Sequence, residues 1–334
     1  TGLGRDVGAT FIRVLSAGGD PSLLLRPDTA GLLYYAILGA KATSTIGVLW
    51  STGATYAVGD VVRAADGTVW EVTEGTDGGT AEPSGTTVGE EVASTGGDVT
   101  YTLRHLTAQT KHTFTPANDQ PFLTVFKELG DSIFEKFHDC KFTTLNMEFA
   151  AGGDLTASTN ILGLDFERLT ASPGGGIHDQ DEPYRVPGAV YTVDDVADDA
   201  IASGSFNIEA QQTPIQTNRS TYSYIEPGPR TIGFAYERVY TSVAEYAKVY
   251  YGGPAGLTPS LQIWENELVL QYGPDYGPYV KYITPRAKYT EAGSDPDPGG
   301  APMMLSTVGF CDRPDSGPIT TIEVVNSVAS YAAA

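Results

Sequence analysis

The stretch that most constrains this chain is IFEKFHDCKFTTLNMEFAAGGDLTAS, residues 133–158. From Thr143 onward its side chains alternate. Leu145, Met147 and Phe149 fall on one face, and Thr144, Asn146 and Glu148 on the other. A period of two marks a strand with one packed and one wet face. Gly152 and Gly153 then make a corner, and a return strand begins at Leu155. The polar face carries little that does chemistry, so the length of the strand asks for a structural explanation.

The rest of the chain agrees with a strand-and-turn protein. Of 334 residues, 39 are glycine, 21 proline and 19 tyrosine, and only 18% are charged, a balance that favours strands over helices. The length fits two domains, or one large domain with insertions. The net charge of −21 argues against affinity for nucleic-acid backbones or anionic membranes and favours solubility. Cys140 and Cys311 are the only cysteines, too few for a disulfide framework or a metal cluster; free buried thiols are expected, with one bridge as the alternative. No run approaches the ~18 apolar residues of a membrane span, and none reads as a signal peptide.

Strands are expected at 9–16, 112–117, 122–129, 133–149, 155–169, 204–210, 230–240, 260–272, 279–291, 303–310 and 319–331. Helices are expected from Pro27 to a stop at Gly39, and over 242–252. Residues 170–188 read as loop, and 194–199 as an acidic turn. Between the first helix and the next strands the character changes. From Gly53 to Arg104 short β runs are separated by Asp-Gly and Gly-Gly turns, with nine acidic residues against two basic, net −7. This reads as a small all-β module, 50–105, inserted into a larger domain. The flanking blocks repeat one order of parts: strand, short helix, strand, long strand, Gly-Gly corner (Gly152-Gly153 or Gly299-Gly300), return strand. The expectation is a tandem duplication. The first half is 1–49 with 106–180, and the second is 181–334.

No enzymatic motif stands out. His105 and His112 lie seven apart, on opposite faces of a regular strand, which does not make a metal pair. His138 and His178 stand apart from them. Glu265 and Glu267 alternate along a strand, but among 41 acids such a pair arises by chance. A secreted carbohydrate-active enzyme would need a carboxylate pair across a cleft, and nothing else points to one. The acidic glycine-rich loops at 74–83 and 293–300 lack calcium-ligand spacing, and Asn218-Arg219-Ser220 is a formal glycosylation sequon. Tyr56 and Trp70 suit either of two roles: a surface contact with a glycan, or the core of the small module. No cofactor or metal is expected.

KFTTLNMEFAAGGDLTAS with its return strand, GSFNIEAQQTPIQTN, RTIGFAYERVY and SVAEYAKVYYGG together resemble the tail tube (major tail) proteins of long-tailed, siphovirus-type bacteriophages. The resemblance covers 1–49 and 106–334. It implies a mainly β protein: a β-sandwich or half-barrel with short flanking helices, here duplicated, plus the inserted module. It also implies a structural virion protein, with rings stacked into a tube that encloses the tape-measure protein and conducts DNA. Partners would be further copies of itself, the tail terminator and distal tail proteins, and transient DNA without specific binding. No membrane is involved. The location would be the virion tail, assembled in the host cytoplasm. On this reading Thr144, Asn146 and Glu148 face the channel, with 279–291 as a second wall strand. A duplicated chain would close a ring with three copies, pseudo-sixfold, where single-fold members use six. The insert would project outward, for adhesion or decoration. The rival reading is a decoration or baseplate β protein with a glycan-binding insert, which would not stack into tubes.

Overall fold

The computed structural model of the chain describes residues 17–129, 133–172, 182–218, 222–240, 243–261, 263–295 and 303–331. The expected strand at 9–16, His178, part of the 170–188 loop, Arg219 and Ser220 of the sequon, and the Gly299-Gly300 corner lie outside these residues. Strands take 54% of the chain and helices 6%, so the molecule is mainly β.

The chain opens with β1 (Ala17–Gly19) and β2 (Ser22–Leu24), then α1 (Pro27–Leu38) and β3 (Gly39–Thr45). Five short strands follow: β4 (Val48–Leu49), β5 (Val61–Arg63), β6 (Val69–Glu74), β7 (Glu91–Ala93) and β8 (Thr100–His105). Next come β9 (Thr110–Pro116), β10 (Leu123–Leu129), β11 (Ile133–Ala150), β12 (Thr156–Gly163) and β13 (Asp165–Leu169). A short pair, β14 (Val190–Val193) and β15 (Val196–Ala197), leads to β16 (Ile201–Ile215), β17 (Tyr224–Val239) and α2 (Val243–Tyr250). The chain finishes with β18 (Glu265–Tyr272), β19 (Tyr279–Asp295), β20 (Met304–Cys311) and β21 (Thr321–Asn326).

Helix α1 forms where its signals stand. Pro27 occupies the first turn, where its missing N–H costs nothing, and Asp28 meets the positive end of the helix dipole. Gly39 ends it at φ 93°, donating its N–H to the Tyr35 carbonyl, a conformation that favours glycine. The helix buries Ala30, Tyr34, Ile37 and Leu38.

Sixteen strands form one open sheet whose main path runs β1-β12-β11-β16-β17-β20-β19-β18-β14-β15. It folds into two layers because β11 and β19 change layers along their length. The first half of β11 pairs with β10 and β13, the second half with β12 and β16. Likewise β19 pairs first with β18 and β21, then with β20. Both strands turn at bulges. Against the preceding strand the register slips between Leu123/Val125 and between Asn266/Leu268; against the return strand it slips after Phe142 and after Tyr289. Bulges let a strand bend from one layer into another. Asp139 sits in the first bulge at φ 49°, a conformation aspartate tolerates better than most residues.

Three expectations are corrected. The return strand 155–169 is two strands, since β12 follows the second half of β11 and β13 the first. The strand expected from 260 begins only at Glu265. That expected over 319–331 ends at Asn326, whose side chain donates to Pro27 O and Tyr331 Oη. Between the layers lies an aromatic core. Phe206 packs on Tyr282, Phe149 on Tyr191 and Tyr272, and Phe234 on Tyr289. The Tyr34 and Tyr282 hydroxyls bond each other at full burial, as buried polar groups require.

The strands β4-β5-β6-β8-β7 form a separate sheet with its own core of Val62, Trp70, Val72, Val99, Tyr101 and Leu103. It leans on the larger sheet. Ile46, Val61 and Val69 share a cluster with Tyr279 and Val325, and Arg104 lies over the Tyr276 ring at 4.3 Å.

Candidate functional site

Strands β12, β11, β16, β17, β20 and the second half of β19 lie side by side. Their inner face is the core: Leu145, Met147 and Phe149 on β11; Phe206, Ile208 and Ala210 on β16; Ile232, Phe234 and Tyr236 on β17. The pleat turns the alternate residues outward. Thr144 stands opposite Asn160 and Glu209, Asn146 opposite Ser158 and Asn207, and Glu148 opposite Thr156 and Ser205. The rows continue without a break. Asn207 faces Gly233, Ser205 faces Ala235 and Ser203 faces Glu237; beyond them lie Phe310, Val308 and Ser306, and then Lys288 and Glu291.

Small and polar residues make up most of this face, with Val308 and Phe310 of β20 as its exposed apolar side chains. Its charge is acidic, from Glu148, Glu209, Glu237 and Glu291. Three of these carboxylates are held by neutral neighbours on the same sheet. Asn146 Nδ2 donates to Glu148 at 2.8 Å, Ser203 Oγ to Glu237 at 3.1 Å and Asn207 Nδ2 to Glu209 at 3.4 Å. The one lysine of these rows, Lys288, is turned to Asp312 and Glu265 at the sheet's margin. Such a face repels phosphate backbones and gives passing polyanions nothing to hold. Behind it, burial pushes the Tyr272 and Tyr282 hydroxyls well above the ordinary tyrosine range, so the core stays neutral.

Thr144, Asn146 and Glu148 thus share one outward face, with Leu145, Met147 and Phe149 buried beneath. Glu209, Glu237 and Glu291, which extend the acidic face, were not singled out in the sequence. The alternation in FNIEA, with Phe206 and Ile208 against Asn207 and Glu209, carried the same signal. Tyr56 and Trp70 are corrected. Trp70 is fully buried with its indole N–H on Thr68 Oγ1, and Tyr56 is buried with its hydroxyl accepting from the Ser51 N–H. Neither ring offers a face to a sugar, because both are packed with Val62, Val72, Tyr101 and Leu103 in the core of the five-stranded sheet.

Glu265 is held by Arg286 at 2.7 Å, and Glu267 lies on the same strand end. His112 is fully buried, its Nε2 bonded to the Val328 carbonyl at 2.7 Å, while His138 faces Glu167 at 3.1 Å. Among the described residues no three His, Cys, Asp or Glu side chains converge to hold a metal, and no helix is long and apolar enough to cross a membrane. Cys140 and Cys311 are buried free thiols; burial pushes the first up to about 11 and the second to about 12.

No curated protein sequence matches the chain. The family described as phage tail tube protein matches it over residues 2–309. An open two-layered β fold and a largely polar sheet face suit a structural virion protein located in the tail, one that assembles with its own copies into a tube. The match takes in both blocks of the large sheet and the inserted one, and the chain belongs to the phage tail tube protein family.

Proposed function

We propose that rings of this chain stack into the tail tube with the face carrying Thr144, Asn146, Glu148, Glu209 and Glu237 turned to the channel. The observation that carries the reading is the largely polar, acidic face across six strands, interrupted on β20 by the exposed Val308 and Phe310 and backed by core. The tube encloses the tape-measure protein during assembly in the host cytoplasm and conducts DNA during ejection. The tail terminator and distal tail proteins cap its ends. Repulsion between carboxylates and phosphates keeps DNA moving without specific binding.

The ring holds three chains, each a tandem duplication that supplies two wall units. The matched pairings and bulges of β10-β11-β12-β13 and β18-β19-β20-β21 support this. The inserted sheet sits on the outer surface. Its contacts, Tyr279 at the start of β19, Tyr276 just before it and Val325 opposite it on β21, lie at least ~25 Å along β19 from its wall segment at ~3.3 Å per residue.

Cryo-electron microscopy of assembled tails without imposed symmetry tests the reading. Three chains per ring, with Glu148 in the lumen, is the expected result. Six chains per ring would discard the duplication but keep the tube. A tube with Glu148 on its outside would overturn the wall assignment.

A further inference from the structure

The repeat of pairings leaves one part of the second half unaccounted for. In the first half, the segment between helix and strand β10 ends in β9, which crosses to the second half and adds to the free edge of β21. Phe114 lies opposite Ile322 there and is fully buried against Tyr34 and Tyr331. The corresponding segment of the second half, between α2 and β18, pairs with no strand. Aligning the two bulged hairpins sets Asn266 at the position of Leu123. The sequence Leu257-Thr258-Pro259 then falls where Phe114-Thr115-Pro116 stands. Leu257 is 92% exposed and Leu261 wholly so.

A single exposed leucine is ordinary. Leu257, Leu261 and Ile263 are exposed within one stretch, 251–264, that carries no charge, in a chain of net charge −21. The segment is tied to the end of α2 by Gly253 N–H to Ala247 O and Ser260 N–H to Tyr250 O, and Gly256 N–H closes a turn on Gly253 O that must open for 253–259 to pair as a strand. The edge that corresponds to β21 in the first half is β13, which pairs with β11 alone.

Resting on the ring assembly above, we propose that residues 253–259 add as a strand to the outer edge of β13 in the next copy of the chain. This is strand addition to an open edge, performed between chains as β9 performs it within one. Matching β13/β11 to β21/β19 fixes the register, with Leu257 opposite Arg168 of the neighbour. An uncharged arm suits a contact between two strongly acidic subunits, since it adds no like charge to the junction.

The test is a paired-cysteine variant, Leu257→Cys with Arg168→Cys, at protein concentrations where the unaltered chain forms tubes. Both positions are exposed, and the native thiols are buried and stay protonated at pH 8. Oxidation should link neighbouring chains into a ladder that either single variant lacks. Leu257→Asp should abolish tubes while its melting curve stays unchanged. Tubes without links, together with normal assembly of Leu257→Asp, would overturn the strand addition and leave the tube reading intact. If the unaltered chain forms no tubes and the paired variant yields no linked dimers, both readings fall.

Discussion

Strands β11 and β19 make the same journey through the fold, and they end it differently. Each pairs with its hairpin partner, bends at two bulges and enters the outer layer beside its return strand. There β11 lies between β12 and β16, whereas β19 has β20 on one side only. The strand that completes β11, together with β14 that covers the edge of β18, comes from the opening stretch of the second half. No second such stretch exists among the described residues, and among them β10, β13 and the end of β19 have open edges. One junction is sealed by the chain itself; the other is the edge to which we propose a second copy adds.

Core packing should break the likeness most. The bulges set Ala292 of β19 at the position of Leu145, both buried. Leu145→Ala should cost about 2–5 kcal/mol by denaturant unfolding, and Ala292→Leu about 1–3 kcal/mol through overpacking. A leucine accepted freely at 292 would mean the two wall strands pack interchangeably.

The inserted sheet belongs to the first block but rests on the second. Replacing 53–104 by a short Gly-Ser linker removes Val61 and Val69 from over Tyr279 and Val325. The loss should be roughly 1.5–3 kcal/mol, since Ile46 still covers part of the cluster. Tubes should still form in electron micrographs; their loss would make the insert part of the ring contacts.

Stability should also be confined by pH on both sides. Burial raises the thiols of Cys140, to about 11, and Cys311, to about 12. The unfolded chain therefore ionises first, and stability is lost as pH rises from about 9. Cys311→Ala should remove more of that slope than Cys140→Ala. On the acid side, burial lowers His112. The unfolded chain takes up that proton first, so stability is lost as pH falls below about 6.5. Urea midpoints measured across pH read both limbs, and a flat profile would contradict them. The smallest effect on folding belongs to Glu148→Lys, within about 0.5 kcal/mol. Phage carrying it should nonetheless release DNA more slowly, and an unchanged rate would remove Glu148 from the channel.

Much of this was legible in the sequence. Pro27, Asp28 and Gly39 marked α1 to the residue, and the alternation around Leu145 separated the buried face from the wet one. The Asp-Gly and Gly-Gly turns marked off the small sheet. What failed was local pattern where a tertiary contact ruled. GAKATST joins β9 as β3 directly after the helix, with no alternation of large apolar residues to announce it. Trp70 and Tyr56 have the composition of a sugar platform and the burial of a core, and only neighbours distant in sequence decide between the two.

By itself the sequence determined where most of the longer strands lie, which face of β11 is dry, and that the chain is acidic. These follow from side-chain period and net charge, which are properties of short stretches. Only the tertiary structure decided that β11 and β19 change layers, that Glu148, Glu209 and Glu237 come onto one face, and which edges stay open. Register between distant strands is set by the sum of many cross-strand pairings and by bulges a single residue wide, and no local window contains that sum.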